Sequence, residues 1–290
     1  MTNSVTKAIM DLNGHILVEK LDGIMRLREA IIQNIEVGDG ISALANALID
    51  DRRYVRGQAL DALKIASQKG LDLEIAIDNL TRCLSDDGKN IRMTSAQTLS
   101  QIAKNGGDIS SAKKNLIALF GDYEIAVNTC AIEALCEIAK EHRGVIDDVA
   151  SVLREEKPFL SVFDYPNRIE TLTALRFLKE VARDGISIRD VLDVVIKHLE
   201  HDLMDVRTNA KEVLMEAAFT GDIEDLQEFR TKIQKIAEKK PELKQELAKA
   251  YLDTAFAVGK AKQKIDMPGE VLEAGVKPPK KTFRVGRTYA

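Results

Sequence analysis

Apolar residues recur at three- and four-residue intervals along most of the chain, which is the pattern of amphipathic helices. Short polar turns, such as the one at Asp50, Asp51 and Arg52, separate these stretches. Longer breaks that contain glycine, at Gly70, Gly106 and Gly185, end the second helix of a pair, and glycine is favoured just after a helix C-terminus. The pattern predicts antiparallel helix pairs over residues 39–69, 72–105, 109–141, 144–184, 187–219 and 222–263, with a further helical segment at about 3–34 that caps the start.

The helical pattern repeats with a nearly constant step. Similar stretches end at Leu63, Leu99 and Leu135, which are 36 residues apart. The next copy arrives late, because Leu178 follows Leu135 after 43 residues, and Leu214 then restores the step of 36. A single helix pair cannot bury its apolar stripe, whereas stacked pairs form one continuous core. We therefore predict an all-α fold, a right-handed α-solenoid (superhelix) of about six to seven stacked antiparallel helix pairs.

The second helix of several pairs opens with the same short motif, in which Ala and Leu follow a branched apolar residue and an arginine. The motif is found at Val55–Arg56, Ile91–Arg92 and Val206–Arg207. Over residues 39–220, the motif and the period resemble those of the HEAT-repeat family. The resemblance implies a ladder in which each Arg pairs with a turn Asp, and this structural role is favoured over a row of phosphate ligands. The implied acidic partners are Asp51, Asp87 and either Asp202 or Asp205.

The resemblance also implies where this ladder is interrupted. Asn128 stands at the Arg position of the third repeat, and the fourth repeat has no clear equivalent of the Arg. We therefore expect no rung of the ladder at these two repeats.

The overall charge and the cysteines limit the functions to consider. The net charge is −4 and the pI is about 5.7, whereas a surface devoted to nucleic acid usually carries a basic field. Cys83, Cys130 and Cys136 match no disulfide framework or zinc spacing, so we expect buried thiols. The sequence shows no signal-peptide pattern and no long apolar run, so we expect no membrane span. A reducing cytoplasm is the expected location.

No motif in the chain specifies a reaction, and we predict a protein that is not an enzyme and has no cofactor and no metal site. His198 and His201 flank Glu200 near a helix end, but exposed polar residues beside a turn explain this arrangement as well as a metal does. The loop around Gly38 and Gly40 follows a helical stretch rather than a strand, so it is an inter-helix turn and not a dinucleotide-binding turn.

Three classes of HEAT-like enzyme deserve comparison with the chain. Some HEAT-like proteins resemble iron-dependent hydroxylases with repeated His-Glu pairs, and the chain has no such dipeptide. Others resemble DNA glycosylases with a basic surface rich in aromatic residues, whereas this chain is acidic and has no Trp. A third group resembles lyases that attach bilin pigments, and nothing in the sequence identifies a chromophore site.

The late fourth repeat places its extra residues within 155–167. Phe159, Phe163 and Tyr165 lie in this segment and are three of the thirteen aromatic residues of the chain. Two prolines there interrupt a helix. Two interpretations stay open: the rings fold over the protein's own solenoid, or they form an exposed apolar contact for a partner.

The helical period stops near Met267, so we divide the chain into a solenoid at 1–265 and an extended basic tail at 266–290. Residues 277–290 contain five basic residues and no acidic one. Such a segment is too polar to form a core of its own. It is either a solvated end or a linear motif that becomes ordered on an acidic protein or an RNA surface. Its candidate contacts are Lys280, Lys281, Phe283, Arg284, Arg287 and Tyr289.

These features favour a non-enzymatic scaffold that binds a protein or a multi-protein complex through the solenoid surface, the 155–167 loop and the tail. The first alternative is an RNA- or ribosome-associated factor whose basic tail contacts phosphate. The second is a HEAT-like lyase or another enzyme built on the solenoid. Salt dependence separates protein binding from phosphate binding, because phosphate contacts weaken steeply as the salt concentration rises.

Overall fold

The computed structural model describes residues 2–155 and 165–266, and within these two ranges it contains α-helices and short 3-10 turns but no strand. Consecutive helices pack side by side in pairs, as the apolar pattern predicts. The α-helices are α1 (Thr2–Asn13), α2 (Leu17–Ile32), α3 (Gly40–Ala47), α4 (Arg53–Gln68), α5 (Ile77–Cys83), α6 (Lys89–Lys104), α7 (Lys113–Ala118), α8 (Ile125–Glu141), α9 (Gly144–Arg154), α10 (Tyr165–Arg183), α11 (Leu192–Lys197), α12 (Met204–Phe219), α13 (Leu226–Lys239) and α14 (Lys244–Asp266).

The stacking of these helices gives two layers. The even-numbered helices are the second helices of the pairs, and each packs against the next one along the chain. The odd-numbered first helices form the other layer, extended by 3-10 turns such as Leu119–Gly121. One apolar core runs between the layers from α1 to α14. The predicted all-helical solenoid is therefore confirmed.

The repeat register that the leucines predict is also confirmed. The closing residues Leu63, Leu99, Leu135, Leu178 and Leu214 are all fully buried. Because Leu178 and Leu214 are buried like the others, the late fourth repeat resumes the same register after its longer step. The matching first-helix residues are buried as well, at Leu44, Leu80, Leu116 and Val195.

Four of the second helices, α4, α6, α10 and α12, end in a common way, with a glycine of positive φ just after the last turn. This residue is Gly70, Gly106, Gly185 or Gly221. At the first of them, the N–H of Leu71 donates to the carbonyl of Ala66 at 3.1 Å, which satisfies a helix-end carbonyl. Asn34, with a φ of 56°, takes the same position after α2. The segment at 2–34 is therefore a repeat like the others, and not only a cap.

The predicted arginine ladder is present, but its shortest ion pairs involve carboxylates other than the expected ones. Arg56 donates to the carboxylate of Asp86 at 2.7 Å, and Arg92 donates to Asp122 at 2.6 Å. These partners are the first acidic residues of their turns, and the expected Asp87 also pairs with Arg56, at the longer distance of 3.4 Å. Asp86 is fixed in place because its side chain also accepts the N–H of Gly88 at 2.8 Å.

The remaining expected partners were also wrong in detail. Asp51 contributes its backbone carbonyl to Arg56, at 3.1 Å, instead of its carboxylate. Arg207 pairs with Glu246 at 3.0 Å. The carboxylate of Asp202 accepts from Lys240, and that of Asp205 accepts from Arg168. Each ladder arginine thus binds two carbonyls of the turn that follows its own first helix and a carboxylate of the next repeat, which ties neighbouring repeats together.

The ladder begins earlier than the motif predicted and changes at the third repeat, as predicted. Lys20 of α2 donates to Asp50 at 2.9 Å. The guanidinium of Arg52, followed by Lys20, holds the pKa of Asp50 well below its usual value, against the opposing effect of burial. Asn128 replaces the third Arg, and its amide donates to the carbonyl of Asp122 at 3.2 Å. This contact keeps one arginine hydrogen bond but carries no charge.

The junction with the longer step is filled by a larger side chain. Phe177 of α10 occupies the repeat position of Ala134 in α8 and is buried. Its ring centroid lies 6.3 Å from that of Phe120, in a tilted arrangement. The pair packs the third repeat against the fourth.

Candidate functional site

The second-helix face is the exposed side of the even-numbered helices, opposite the layer of first helices. On α4 this face includes Tyr54, Gly57 and Asp61, whereas Ala59 and Leu63 on the other side are fully buried. The repeat puts a comparable stripe on each neighbouring second helix, so the face follows the length of the solenoid. Repeat proteins use extended surfaces of this kind to bind partners.

The stripe on α2 is apolar. Val18, Met25 and Ile32 are spaced seven residues apart and are all exposed, Met25 to 61%. Leu21 lies between the first two and packs partly against the core. Apolar residues at alternating steps of three and four form the seam along which one helix packs on another. Here the seam lies on an exposed face and has no partner among the described helices beyond the core contact of Leu21.

A groove of about 620 Å³ lies between α4 and α6, next to this stripe. Its lining includes Tyr54, Gly57 and Asp61 from α4, and Asn90 and Met93 from α6. The side chain of Tyr54 is 63% exposed. Tyr54 stands at the repeat position of Val18, so the apolar surface continues from α2 to the rim of the groove.

Gly57 leaves space in the groove because it has no side chain. Glycine in a helix interior costs about 1 kcal/mol relative to alanine, because it loses more backbone entropy. A Cβ at Gly57 meets no heavy atom within 4 Å, so no contact inside the described protein requires a glycine there. Gly23 is different, because a Cβ there meets the carbonyl oxygen of Ala8 at 2.5 Å. The space above Gly57 is therefore available to a side chain of another molecule.

The middle of the second-helix face is polar. Lys64 of α4 donates to Gln97 of α6 at 2.8 Å. Lys179 of α10 forms an ion pair with Glu212 of α12 at 2.8 Å. These links satisfy the groups within the protein, so the apolar stripe on α2 is a feature of one end of the face and not of the whole of it.

The two histidines near the end of the eleventh helix have structural contacts. His198 is buried, and its Nδ1 lies 2.8 Å from the carbonyl of Val194. The Nδ1 of His201 accepts the N–H of Leu203 at 3.0 Å. The prediction of two exposed polar residues was thus wrong for His198. In the described ranges, no three His, Cys, Asp or Glu residues gather as metal ligands do.

The three cysteines are free and buried, as predicted. Burial raises the pKa of the Cys83 thiol to about 11 and that of Cys136 to about 12. Thiols with such pKa values are protonated near neutral pH and are poor nucleophiles. Cys136 lines a cleft of about 260 Å³ between α8 and α10, where it acts as an apolar wall.

Most of the partner-binding residues predicted from the sequence lie outside the described residues. These are Phe159, Phe163, Lys280, Lys281, Phe283, Arg284, Arg287 and Tyr289. Tyr165 is the first residue of α10, and its backbone is helical. The described part of the insertion shows that α9 ends at Arg154 and α10 begins at Tyr165, so the extra residues fall between these helices as predicted.

The apolar stripe of α2 and the groove at Gly57 were not predicted from the sequence, although one residue pattern pointed to each of them. Met25 corresponds to Asp61 and Gln97 in the next repeats, so an apolar residue replaces polar ones there. Gly57 interrupts a helical stretch whose equivalents at the same position are Met93 and Thr129.

Among the described residues, no helix has the length and the apolar character needed to cross a membrane.

Comparison with known proteins shows the fold. No family model matches the chain, and no curated protein matches it. The solved structure of the MAST/Orbit N-terminal domain is 16% identical, with a TM-score of 0.55 over 74% of this chain and 97% of that one. An archaeal HEAT-like repeats protein from Thermococcus onnurineus is 14% identical, with a TM-score of 0.49 over 85% of this chain and 100% of that one. The CpcE–CpcF complex of phycocyanin lyase from Nostoc is 16% identical, with a TM-score of 0.40 over 87% and 94%.

The likeness to the MAST/Orbit domain, the repeat register and the arginine ladder all indicate the same fold. The chain is a HEAT-repeat solenoid in its fold. At this level of identity the comparison concerns the fold alone.

Proposed function

We propose that the protein is a non-enzymatic scaffold that binds another protein, and that α2 and α4 receive an amphipathic helix of that partner. The observation that carries this proposal is the exposed apolar stripe of Val18, Met25 and Ile32. Burying such a side chain completely is worth about 1.5–3 kcal/mol. Contiguous apolar surface of this kind marks interaction sites in proteins that fold in water.

The spacing of the stripe selects the kind of partner. A helix laid on a helical surface makes contact through apolar residues at steps of three and four, as calmodulin-type and coiled-coil targets do. An anchor side chain of that helix enters the groove between α4 and α6 above Gly57. Tyr54 then packs on it from the rim, and Asp61 provides a negative group for a basic residue that flanks the anchor.

The 155–167 loop and the tail are part of the same proposal. Phe159, Phe163 and Tyr165 form a second apolar contact, supported by their concentration at the longer step between the third and fourth repeats. The tail adds electrostatic attraction for an acidic partner, because five of its residues are basic and none of its last fourteen is acidic. We also propose a cytoplasmic location, which suits three unpaired cysteines.

The experiment compares two methionines that are similarly exposed to solvent and lie on adjacent helices. Met25 on α2 is 61% exposed and belongs to the stripe, whereas Met10 on α1 is 69% exposed and belongs to the other layer. Tagged wild-type protein, Met25→Glu and Met10→Glu are purified from the native cell, and the proteins and RNA that accompany them are quantified. Both variants place a charge at an exposed site, so we expect both to fold normally.

The proposal expects the partner to be retained by Met10→Glu and reduced at least tenfold with Met25→Glu, which is about 1.4 kcal/mol. Equal recovery with both variants contradicts the site on α2. Material that disappears after nuclease treatment or with rising salt, and that is insensitive to Met25→Glu, supports the RNA-associated alternative instead.

A further inference from the structure

Apolar side chains are also exposed at the C-terminal end of the second-helix face. Phe219 in α12 and Leu252 and Phe256 in α14 are exposed, Phe256 to 64%, and Met215 is partly exposed. The ammonium of Lys260 lies 4.6 Å from the ring centroid of Phe256 and therefore shields only part of the ring. We name Met215, Leu252 and Phe256 the C-terminal patch.

The patch replaces an ion pair of the preceding repeat. Buried residues fix the register of the two helices: Val206, Ala210, Val213 and Leu214 of α12 correspond to Ala250, Thr254, Ala257 and Val258 of α14, with a step of 44 residues. Met215 then takes the place of Lys179, and Phe256 takes the place of Glu212. Lys179 and Glu212 join α10 to α12 at 2.8 Å. An exposed ion pair suits a surface in water, whereas Met and Phe suit one that is covered.

The chain that continues from α14 has the length and the composition to cover this patch. Phe256 precedes Asp266, the last residue of α14, by ten residues, which is about 15 Å along a helix. Pro268 and Gly269 come next, and this dipeptide marks a turn. An extended chain advances about 3.3 Å per residue, so five residues after the turn bring it back to the level of Phe256.

Leu272, Ala274 and Val276 alternate along this stretch, so an extended chain places them on one face, with Ala274 near the level of Phe256. Val276 is six residues beyond residue 270, so it reaches about 20 Å back, and Leu252 lies about 21 Å from the end of α14. A tethered segment also binds at an effective concentration in the millimolar range, which favours it over a separate molecule.

We propose that residues 270–276 fold back along α14 and cover the C-terminal patch. This inference is independent of the proposed function at α2. It has a consequence for the tail, because the basic residues 277–290 then start beside the first half of α14, on the second-helix face, and not beyond the end of the solenoid.

The test measures hydrogen exchange of the amides at 270–276 in the full chain. The patch variant carries Met215→Lys and Phe256→Glu, which recreates the Lys179–Glu212 arrangement of the preceding repeat. The control is Ile125→Glu, which makes the same kind of change at a residue that is 68% exposed on α8. Size-exclusion chromatography with light scattering gives the oligomeric state of each protein.

We expect the amides at 270–276 to exchange at least tenfold more slowly than an unstructured chain in the wild type and in Ile125→Glu, and at the unstructured rate in the patch variant. Unprotected amides in the wild type, or protection that survives the patch variant, overturn the proposal. A wild-type dimer that becomes a monomer in the patch variant also overturns it, because a second copy then covers the patch.

Discussion

Replacing Gly57 with alanine tests the open groove, because the structure predicts an increase in stability. Alanine is about 0.5–1 kcal/mol more favourable than glycine in a helix interior. No heavy atom lies within 4 Å of the new Cβ, so no steric cost opposes this gain. We therefore expect Gly57→Ala to raise the free energy of unfolding by about 0.5–1 kcal/mol in urea denaturation followed by helical circular dichroism.

Gly23→Ala is the matched control, because it offers the same gain in helix propensity at a crowded site. Its Cβ meets the carbonyl oxygen of Ala8 at 2.5 Å and the backbone nitrogen of Leu12 at 2.9 Å. Separating α1 from α2 to relieve this overlap costs about 1–3 kcal/mol, so this variant is expected to be less stable than the wild type. The reasoning fails if Gly57→Ala loses stability, because the space above Gly57 is then already occupied within the protein.

Four further predictions concern the core, the ladder, the tail and the 155–167 loop. Leu99 is fully buried between repeats, and Leu99→Ala should lower the free energy of unfolding by about 2–5 kcal/mol; a change below about 0.5 kcal/mol would contradict the repeat register. The pKa of Asp50 and that of Asp86 are lower in the folded protein than in an unfolded chain. The stability that these two carboxylates contribute is therefore fully present above about pH 4 and is lost as the pH falls towards their pKa values in the folded protein. Acid unfolding of Asp86→Asn should therefore show a weaker dependence on pH than that of the wild type, and an identical dependence speaks against the ladder. Deleting residues 277–290 should leave helical content unchanged and weaken partner binding at least tenfold, and replacing Phe159, Phe163 and Tyr165 with Ser should weaken binding without loss of stability; unchanged binding removes these segments from the site.

The solenoid was predictable from the sequence because its pattern of apolar residues repeats at a nearly constant step. Leu63, Leu99 and Leu135 are spaced by one repeat, and any residue that recurs in this way must occupy the same environment. The same logic found the arginines of the ladder. It did not show which carboxylate is the closer partner, because Asp86 and Asp87 are neighbours in one turn. In the structure both carboxylates reach Arg56, and Asp86, which also accepts the N–H of Gly88, is the closer one.

The candidate site was less predictable because it consists of departures from the repeat. Met25 and Phe256 each fit the apolar spacing of an ordinary amphipathic helix. The sequence alone does not show which of the apolar residues in such a helix stay exposed. His198 illustrates the reverse, because a polar residue beside a turn is buried against its own helix. Exposure depends on how neighbouring repeats are placed, and that placement is a property of the folded chain.

Photo-crosslinking at position 25 tests the central claim most directly. A photoreactive amino acid replaces Met25 or, in a separate protein, Met10, and each protein is irradiated in the native cell before the crosslinked peptides are sequenced. The account predicts that position 25 crosslinks to one protein segment with apolar residues at steps of three and four, and that position 10 does not. Crosslinks that are the same at both positions, or crosslinks from position 25 to RNA, would contradict it.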